Sequence, residues 1–394
     1  MARKLCTGNY VAGYTLASAG EANRFARGCV AGGYPITPQT EIMEYLRSYK
    51  FTKGIVQAVE SEHSAMGMCI GASLAGARSF TASSANGLAY MTENVYMAGY
   101  CRLPIVMVAV NRALGPPWNI WVDQGDTLAL RDTAWLHFYC ESHQDVADTI
   151  LLAFRVSEDP RILLPSIVAY DGFIISHTST GVDLPEQEQI DRFLPPFQAA
   201  PRLDHNRPIM VGAMVTPEDT AAHRVELAET MNRVPSVFDQ ARDEFKSVFG
   251  RLPDGAITGY CLDDAETVLI ASNSIASTVR GVVDERRQAG EKVGLLKIKM
   301  FRPFPRAAVA KALANVRRVG VIDRNVSVGS GGIFWLEVCG ALRSRKEILL
   351  QGYMTGLGGG DVTPSIIEDI LEDLKQRTEP AEPIFKVQAY EKMY

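Results

Sequence analysis

Three residues combine a side chain capable of chemistry with a position where a short apolar stretch gives way to a turn. Thr37 lies in Gly32-Gly33-Tyr34-Pro35-Ile36-Thr37-Pro38-Gln39-Thr40-Glu41, Glu62 in Glu60-Ser61-Glu62-His63, and Arg112 in Asn111-Arg112-Ala113-Leu114. A hydroxyl and a guanidinium can both donate to an anion, and a carboxylate can carry a proton. Thr37 reads as a helix N-cap with Pro38 at the first helical position, where free N–H groups and the positive dipole end suit an anion. Each residue also has a plainer reading. Thr37 could only cap its helix, Glu62 could only complement the dipole of the helix it opens, and Arg112 could be a structural ion pair with Asp123 or Asp126.

The elements that would position these residues alternate between strand and helix. Residues 29–34 read as a brief strand, and Ile42, Met43, Tyr45 and Leu46 then mark a helical face. Residues 54–59 and 78–83 are further strands, and the apolar run 104–110 has the pattern of a strand buried on both faces of a parallel sheet. Helices are expected at 15–27, at 64–75, and from residue 88. The second of these is rich in Ala, Gly, Ser and Met, which suits close backbone packing or a subunit seam. This alternation predicts an α/β, doubly wound parallel sheet, with sites beyond the strand C-termini.

From residue 182 the texture changes. Pro185, Pro195-Pro196, Pro201 and Pro208 punctuate a polar connector, followed by a charged helical segment at 218–250. A second α/β unit begins near Asp263, with strands at 266–271, 292–300, 319–323 and 348–353, and helices at 272–288, 332–342 and 364–375. The expected division is therefore 1–255, 256–376 and a tail at 377–394, the tail being an extended arm against a neighbour. Gly329-Ser330-Gly331-Gly332-Ile333-Phe334 lacks the last glycine of a dinucleotide fingerprint and reads as a turn before a helix. Gly356-Leu357-Gly358-Gly359-Gly360-Asp361 reads as a flexible turn, with binding of a partner or coenzyme A as the other possibility.

Composition narrows the classes further. With 394 residues, 47% hydrophobic and 22% charged, the chain is long enough for two or three globular domains. A net charge of -5 without a dense basic tract argues against nucleic-acid binding. Apolar runs are too short to cross a bilayer, so no membrane is expected and the protein is placed in the cytoplasm. The seven cysteines are scattered with no Cys-x-x-Cys pair, so neither a disulfide frame nor a zinc or iron–sulfur ligand set is expected. The six histidines show no metal-ligand spacing, and no metal site is assigned to this chain.

The motif order carries a resemblance. Tyr34-Pro35-Ile36-Thr37-Pro38 comes first. Glu60-Ser61-Glu62-His63-Ser64-Ala65 follows, before Gly71-Ala72-Ser73-Leu74-Ala75-Gly76-Ala77. Phe80-Thr81-Ala82-Ser83-Ser84, Leu103-Pro104-Ile105-Val106 and Asn111-Arg112-Ala113-Leu114 complete the series. Together they resemble the thiamine-diphosphate-binding-type pyrimidine domain of the alpha subunit of 2-oxoacid:ferredoxin oxidoreductases, the pyruvate:ferredoxin oxidoreductase family. Asp123-Gln124-Gly125-Asp126, Asp171-Gly172-Phe173 and Ser176-His177 extend the likeness to about residue 180. Lys297-Ile298-Lys299-Met300-Phe301-Arg302-Pro303-Phe304-Pro305 resembles the second domain of that subunit, which is similar to the C-terminal domain of transketolases. There the resemblance implies assembly and no catalytic role.

The resemblance implies thiamine-diphosphate-dependent oxidative decarboxylation of a 2-oxoacid, pyruvate first, to acyl-CoA and CO2 with reduction of ferredoxin, or the reverse. It makes Glu62 the catalytic carboxylate beside the aminopyrimidine, in a dry site. Pro35 and Ile36 join Glu62 as cofactor contacts, and Thr37 and Arg112 take the substrate carboxylate. The family's Gly-Asp-Gly…Asn motif is missing from this chain, so a beta subunit should hold the diphosphate and its Mg2+. Gamma and ferredoxin-like delta subunits complete the complex, [4Fe-4S] clusters lie in partner subunits, and CoA is a co-substrate. Gly115-Pro116-Pro117-Trp118 departs from the small serine-containing loop of a plain pyruvate enzyme, and Trp118 or Trp121 could reshape the pocket or pack on a partner. 2-Oxoglutarate, branched-chain and aromatic oxoacids therefore stay open, while oxalate is disfavoured because its family branch carries arginine where Thr37 stands. A non-catalytic assembly subunit is the alternative of a different class, and a nicotinamide dehydrogenase the third.

Overall fold

A computed structural model describes residues 3–198, 203–204, 206–345 and 347–386. Strand β1 (Arg3–Thr7) delivers the chain to helix α1 (Gly8–Glu21), where the Thr7 hydroxyl accepts the Tyr10 N–H at 3.2 Å. The Gly8 N–H donates to the Ile175 carbonyl at 3.0 Å, and an added Cβ would lie 2.4 Å from that oxygen. This docking starts the helix well ahead of the expected residue 15. It stops at Glu21 because the chain then turns to Gly28 (φ +73), whose carbonyl accepts from Asn23 Nδ2 at 2.6 Å.

The next elements are β2 (Cys29–Gly33), α2 (Thr40–Ser48), β3 (Gly54–Ala58), α3 (Glu62–Leu74), β4 (Arg78–Ser83), α4 (Ala85–Tyr90), α5 (Thr92–Tyr100) and β5 (Val106–Asn111). After them come α6 (Gly125–Leu128), β6 (Leu136–Tyr139), α7 (His143–Ser157) and β7 (Ser166–Asp171). β8 (Ser179–Asp183) pairs antiparallel with β1. The connector carries α8 (Gln187–Phe193) and the long α9 (Pro217–Phe249), capped by Thr216 and closed by Gly250 in the left-handed region at φ +76. Pro201 of the connector lies outside the described residues.

The remaining elements are β9 (Ile257–Tyr260), β10 (Thr267–Ala271), α10 (Ile275–Gln288), β11 (Val293–Ile298), β12 (Met300–Arg302), α11 (Arg306–Ala312), β13 (Arg318–Asp323), α12 (Ile333–Ala341), β14 (Leu349–Met354), α13 (Pro364–Gln376) and β15 (Ile384–Phe385). The larger sheet has the order β12-β6-β7-β5-β4-β2-β3 and the second the order β15-β14-β13-β10-β11-β9. Every residue of β4, β5 and β7 is buried, as expected where helices cover both faces of a parallel sheet. This order sets the C-terminal ends of β2, β4 and β5 side by side.

Two expectations change. The strand expected over 292–300 is two strands: β11 belongs to the second sheet, while β12 crosses to the first and pairs antiparallel with β6, Met300 opposite Phe138. In the tail, Ile384–Phe385 runs parallel to β14 of its own sheet, and the Lys386 N–H donates to the Met354 carbonyl at 2.8 Å. An apolar pair beside an open strand edge explains the docking; residues 387–394 lie outside the described residues. Among the described residues no helix is long and apolar enough to cross a membrane.

Buried charge marks the crossing between the sheets. Lys297 Nζ lies 2.7 Å from Glu141 Oε2 and 3.8 Å from Asp145 Oδ2, and it also pairs with Asp254. Lys299, fully buried, pairs with Asp145. Burial would raise the Asp145 carboxyl, but Lys299 and Lys297 outweigh it and bring it down to about 2. A depressed carboxylate contributes stability above its ordinary value and loses it as pH falls toward the folded-state value. The melting temperature of the assembled protein should therefore drop as pH is lowered from about 4 to about 2, with a shallower acid limb in Asp145→Asn. Lys299→Met should cost about 3 kcal/mol or more at neutral pH, because it strips Asp145 of its nearest cation, and denaturant titration would measure the loss.

Candidate functional site

The chain beyond β2 does not enter a helix at Thr37. Gln39 N–H donates to the Ile36 carbonyl at 2.9 Å and its side chain to the Tyr34 carbonyl at 2.8 Å, closing a turn over residues 37–39. The carbonyls of Thr37 and Pro38 are taken from outside the segment, by Arg112 Nη1 at 2.8 Å and Asn9 Nδ2 at 2.7 Å. With those acceptors committed, α2 begins at Thr40, and Gln39 is its N-cap without a side-chain bond. The expected roles of Thr37 as N-cap and Pro38 as first helical residue are therefore corrected. Thr37 precedes the helix, exposed, with Pro35 and Ile36 in the bend between strand and turn.

Arg112 follows β5. Its guanidinium donates from Nε to the Asn119 carbonyl at 2.9 Å and from Nη1 to Thr37. The ion pair with Asp123 or Asp126 does not form. Asp126 instead accepts the Arg112 backbone N–H at 3.0 Å, and Asp123 accepts the backbone N–H groups of Gly125 and Gly358. Two neutral carbonyls orient the guanidinium without cancelling its charge, which leaves it suited to an anion. Burial moves its pKa below the ordinary value, against the pull of Asp126.

Glu62 opens α3, which Ser61 caps by accepting the Ser64 N–H at 3.2 Å. Glu62 as a whole is 7% exposed, and its carboxylate has no hydrogen-bond or ion-pair partner among the described residues. It faces the end of β4. A Cβ at Gly87 would lie 2.6 Å from both Glu62 Oε1 and Ser83 Oγ, so the glycine makes room for the carboxylate. Ser83 Oγ is also buried without a partner. A largely covered carboxylate left unpaired is open to a further partner. His63 does not serve that purpose: its ring lies 3.7 Å from Glu93 and tilts against Tyr90.

Arg112 and Thr37 are thus in contact, and Glu62 stands at the same sheet edge through the neighbouring strand. The tie between them is Asp126, expected as a possible partner for Arg112 and as part of the Asp123-Gln124-Gly125-Asp126 motif, with no structural role assigned to it. Fully buried, it accepts from Ala85 N at 3.0 Å, Arg112 N at 3.0 Å, Asn111 Nδ2 at 2.8 Å and Thr127 N at 2.8 Å. Burial pushes its carboxyl up to about 7 against those donors. Asn86 adds a second tie, its side chain exchanging two bonds with the Gly115 backbone. Gly87 and Asn86 sit in the small-residue run after β4, and that run was the signal available in the sequence.

The glycine-rich turn at 356–360 is not free. Gly358 is held by Asn119 and Asp123, and Trp121 packs over Gly359 and against Phe173, at 4.5 Å between ring centroids. Trp118 is 72% exposed. Among the described residues no group of three or more His, Cys, Asp or Glu could hold a metal ion.

The chain as a whole is similar to known proteins along most of its length. The family described as pyruvate flavodoxin/ferredoxin oxidoreductase, thiamine diP-bdg, matches residues 22–243, and pyruvate:ferredoxin oxidoreductase core domain II matches residues 265–367. The pyruvate synthase subunit PorA of Methanothermobacter thermautotrophicus is 45% identical over 92% of this chain and 93% of that protein. The ketoisovalerate oxidoreductase subunit VorA of Pyrococcus abyssi is 42% identical over 95% of this chain and 94% of that protein. Among solved structures, the 2-oxoglutarate:ferredoxin oxidoreductase of Magnetococcus marinus superposes with a TM-score of 0.73 at 19% identity, covering 95% of this chain and 65% of that one. A split-gene transketolase superposes at 0.57 and 10% identity over 93% and 97% of the respective chains. At these identities the last two speak for the fold alone.

Gly87→Ala tests the pocket around Glu62 directly. It should cost about 1–3 kcal/mol in thermal unfolding, because the added methyl group must displace either the carboxylate or Ser83. An unchanged melting temperature would contradict this account of the glycine.

Proposed function

The chain belongs to the pyruvate:ferredoxin oxidoreductase family as an alpha subunit of a 2-oxoacid:ferredoxin oxidoreductase, and from that premise we propose the roles of its residues. The observation that carries the proposal is the partnerless Glu62 carboxylate in its glycine-lined recess, at the sheet edge where Arg112 meets Thr37. A buried carboxylate with an open acceptor fits the pyrimidine half of thiamine diphosphate, whose ring nitrogen can share a proton with it. Thiamine diphosphate, when bound, supplies the carbon nucleophile and the electron sink for decarboxylation. Glu62 would hold and return the ring proton at its carboxylate oxygen, and Pro35 and Ile36 would wall the cofactor from water.

Arg112 and the Thr37 hydroxyl would take the 2-oxoacid carboxylate. The guanidinium keeps its full charge for the substrate because Thr37 and Asn119 engage it only through carbonyls. The hydroxyl comes from an exposed turn rather than a helix N-terminus, so its contribution is a single hydrogen bond without dipole support. Pyruvate is the acid we assign; the 42% identity to a ketoisovalerate oxidoreductase subunit keeps a branched-chain oxoacid as the second reading. The diphosphate and its Mg2+ would be held by a beta subunit, since this chain carries no Gly-Asp-Gly…Asn motif. [4Fe-4S] clusters in partner chains would pass electrons to ferredoxin, with CoA as acyl acceptor. Gamma and delta subunits in a cytoplasmic complex complete the assignment.

The test is anoxic, 2-oxoacid-dependent viologen reduction by the purified complex, with CoA, thiamine diphosphate and Mg2+ and a panel of pyruvate, 2-oxoglutarate, branched-chain and aromatic oxoacids and oxalate. Pyruvate should give the highest kcat/KM; preference for the branched-chain acids would select the second reading. Glu62→Gln should lower turnover by about 100-fold or more without loss of assembly. Arg112→Ala should raise the oxoacid KM roughly 10- to 100-fold.

A further inference from the structure

The loop that carries Arg112 toward the substrate is mostly exposed: Leu114, Trp118 and Ile120 all face solvent. A guanidinium on such a loop holds its direction only if its acceptors are themselves held. One acceptor, the Thr37 carbonyl, sits in the closed turn after β2. The other is the carbonyl of Asn119, in the exposed stretch itself.

Asn119 is fixed by its side chain. Nδ2 donates to the Gly358 carbonyl at 2.8 Å, and Oδ1 accepts the Trp121 N–H at 2.7 Å. The Trp121 carbonyl in turn accepts the Ala113 N–H at 2.9 Å, closing the loop directly after Arg112. From the other side, the Gly358 N–H donates to Asp123 Oδ2 at 3.3 Å. Gly358 and Gly359 have φ of +57 and +88, a region where a side chain is strained. A Cβ at 358 would also lie 2.8 Å from Asn119 Nδ2, and one at 359 would lie 2.2 Å from Trp121 Cβ. The glycines are therefore required for this approach, and they belong to the loop after β14, in the second sheet's part of the chain.

We propose that the Asn119–Gly358 clasp is a positioning device for the 2-oxoacid: the glycine loop of the second domain holds the Asn119 carbonyl, and through it the guanidinium of Arg112. This gives the second domain a part in substrate binding, where sequence likeness gave it none. Asn119 and Gly358 act through Arg112 and are positioning residues. The proposal rests on the reading of Arg112 as the carboxylate-binding residue, and the experiment separates the two.

The assembled complex is assayed with pyruvate as wild type, Asn119→Ala, Gly358→Ala, their double variant and Arg112→Ala, with pyruvate KM, CoA KM, kcat and melting temperature measured for each. Asn119→Ala and Gly358→Ala should each raise the pyruvate KM about tenfold, well beyond any change in the CoA KM. The double variant should be no worse than the worse single one, because both break the same contact. Asn119→Asp, which keeps the acceptor for Trp121 but sets a carboxylate oxygen against the Gly358 carbonyl, should raise the pyruvate KM at least as far as Asn119→Ala. The inference is overturned if Arg112→Ala raises the pyruvate KM while Asn119→Ala and Gly358→Ala leave it unchanged, or if their effects simply add. It is overturned equally if pyruvate and CoA KM rise together with a lower melting temperature, which marks general loosening. If Asn119→Ala does not assemble, Gly358→Ala alone decides, since it disturbs the contact from the other side. An unchanged pyruvate KM in Arg112→Ala overturns the reading of Arg112, and the clasp as a substrate-positioning device goes with it.

Discussion

Strands buried on both faces leave their ends with polar groups that must find partners inside the protein, and Asp126 meets that demand at the centre of the larger sheet. Its two oxygens collect donors from the residue after β5, from the start of α4 beyond β4, and from Asn111 and Thr127. One carboxylate thereby sets the spacing between the segment that makes room for Glu62 and the segment that presents Arg112. An unpartnered Glu62 can persist nearby because its surroundings are held by bonds that do not involve it.

The same logic joins the two halves of the chain. Asp171, at the end of β7, accepts from Asn273 Nδ2 at 2.8 Å, from the half-buried Ser274 and from Arg324 Nη1 at 3.1 Å, with Asp171, Asn273 and Arg324 buried. Together with Lys297, Lys299 and the strand β12 that crosses into the first sheet, this adds specific polar contacts to a junction whose core is apolar, with Tyr139 packed on Phe301 and Phe334. Burying charge costs desolvation, so these polar contacts contribute definition of geometry more than net stability. That suits a second domain whose glycine loop must meet the Arg112 loop within hydrogen-bond distance.

The elements most legible from the amino-acid order were those whose environment is uniform. Residues 78–83 are a strand as expected, and the continuous apolar run ending at Val110 and the charged helix of 218–250 were found within a few residues, because burial on both faces and a capped amphipathic pattern leave one reading each. Glu62 in a first helical turn was legible for the same local reason. Boundaries failed where a distant group intervened. Helix α1 begins early because Ile175 docks Gly8, and α2 begins late because Arg112 and Asn9 take the carbonyls of Thr37 and Pro38. The run 292–300 reads as one strand because alternation carries no information on which sheet a residue joins.

Residue types and their order therefore determined the α/β class, the strand ends that carry Thr37, Glu62 and Arg112, and the likeness to an alpha subunit of 2-oxoacid:ferredoxin oxidoreductases. These follow from local periodicity and short motifs, which a linear chain displays directly. Only the tertiary structure decided that Arg112 is held by carbonyls rather than by Asp123 or Asp126, that Gly87 makes the recess for Glu62, and that the turn at 356–360 is pinned by Asn119. Each of those depends on contacts between segments far apart in sequence: 239 positions separate Asn119 from Gly358 and 75 separate Arg112 from Thr37. Pairings at that range are fixed by the packing of two sheets and their loops, which no local pattern encodes.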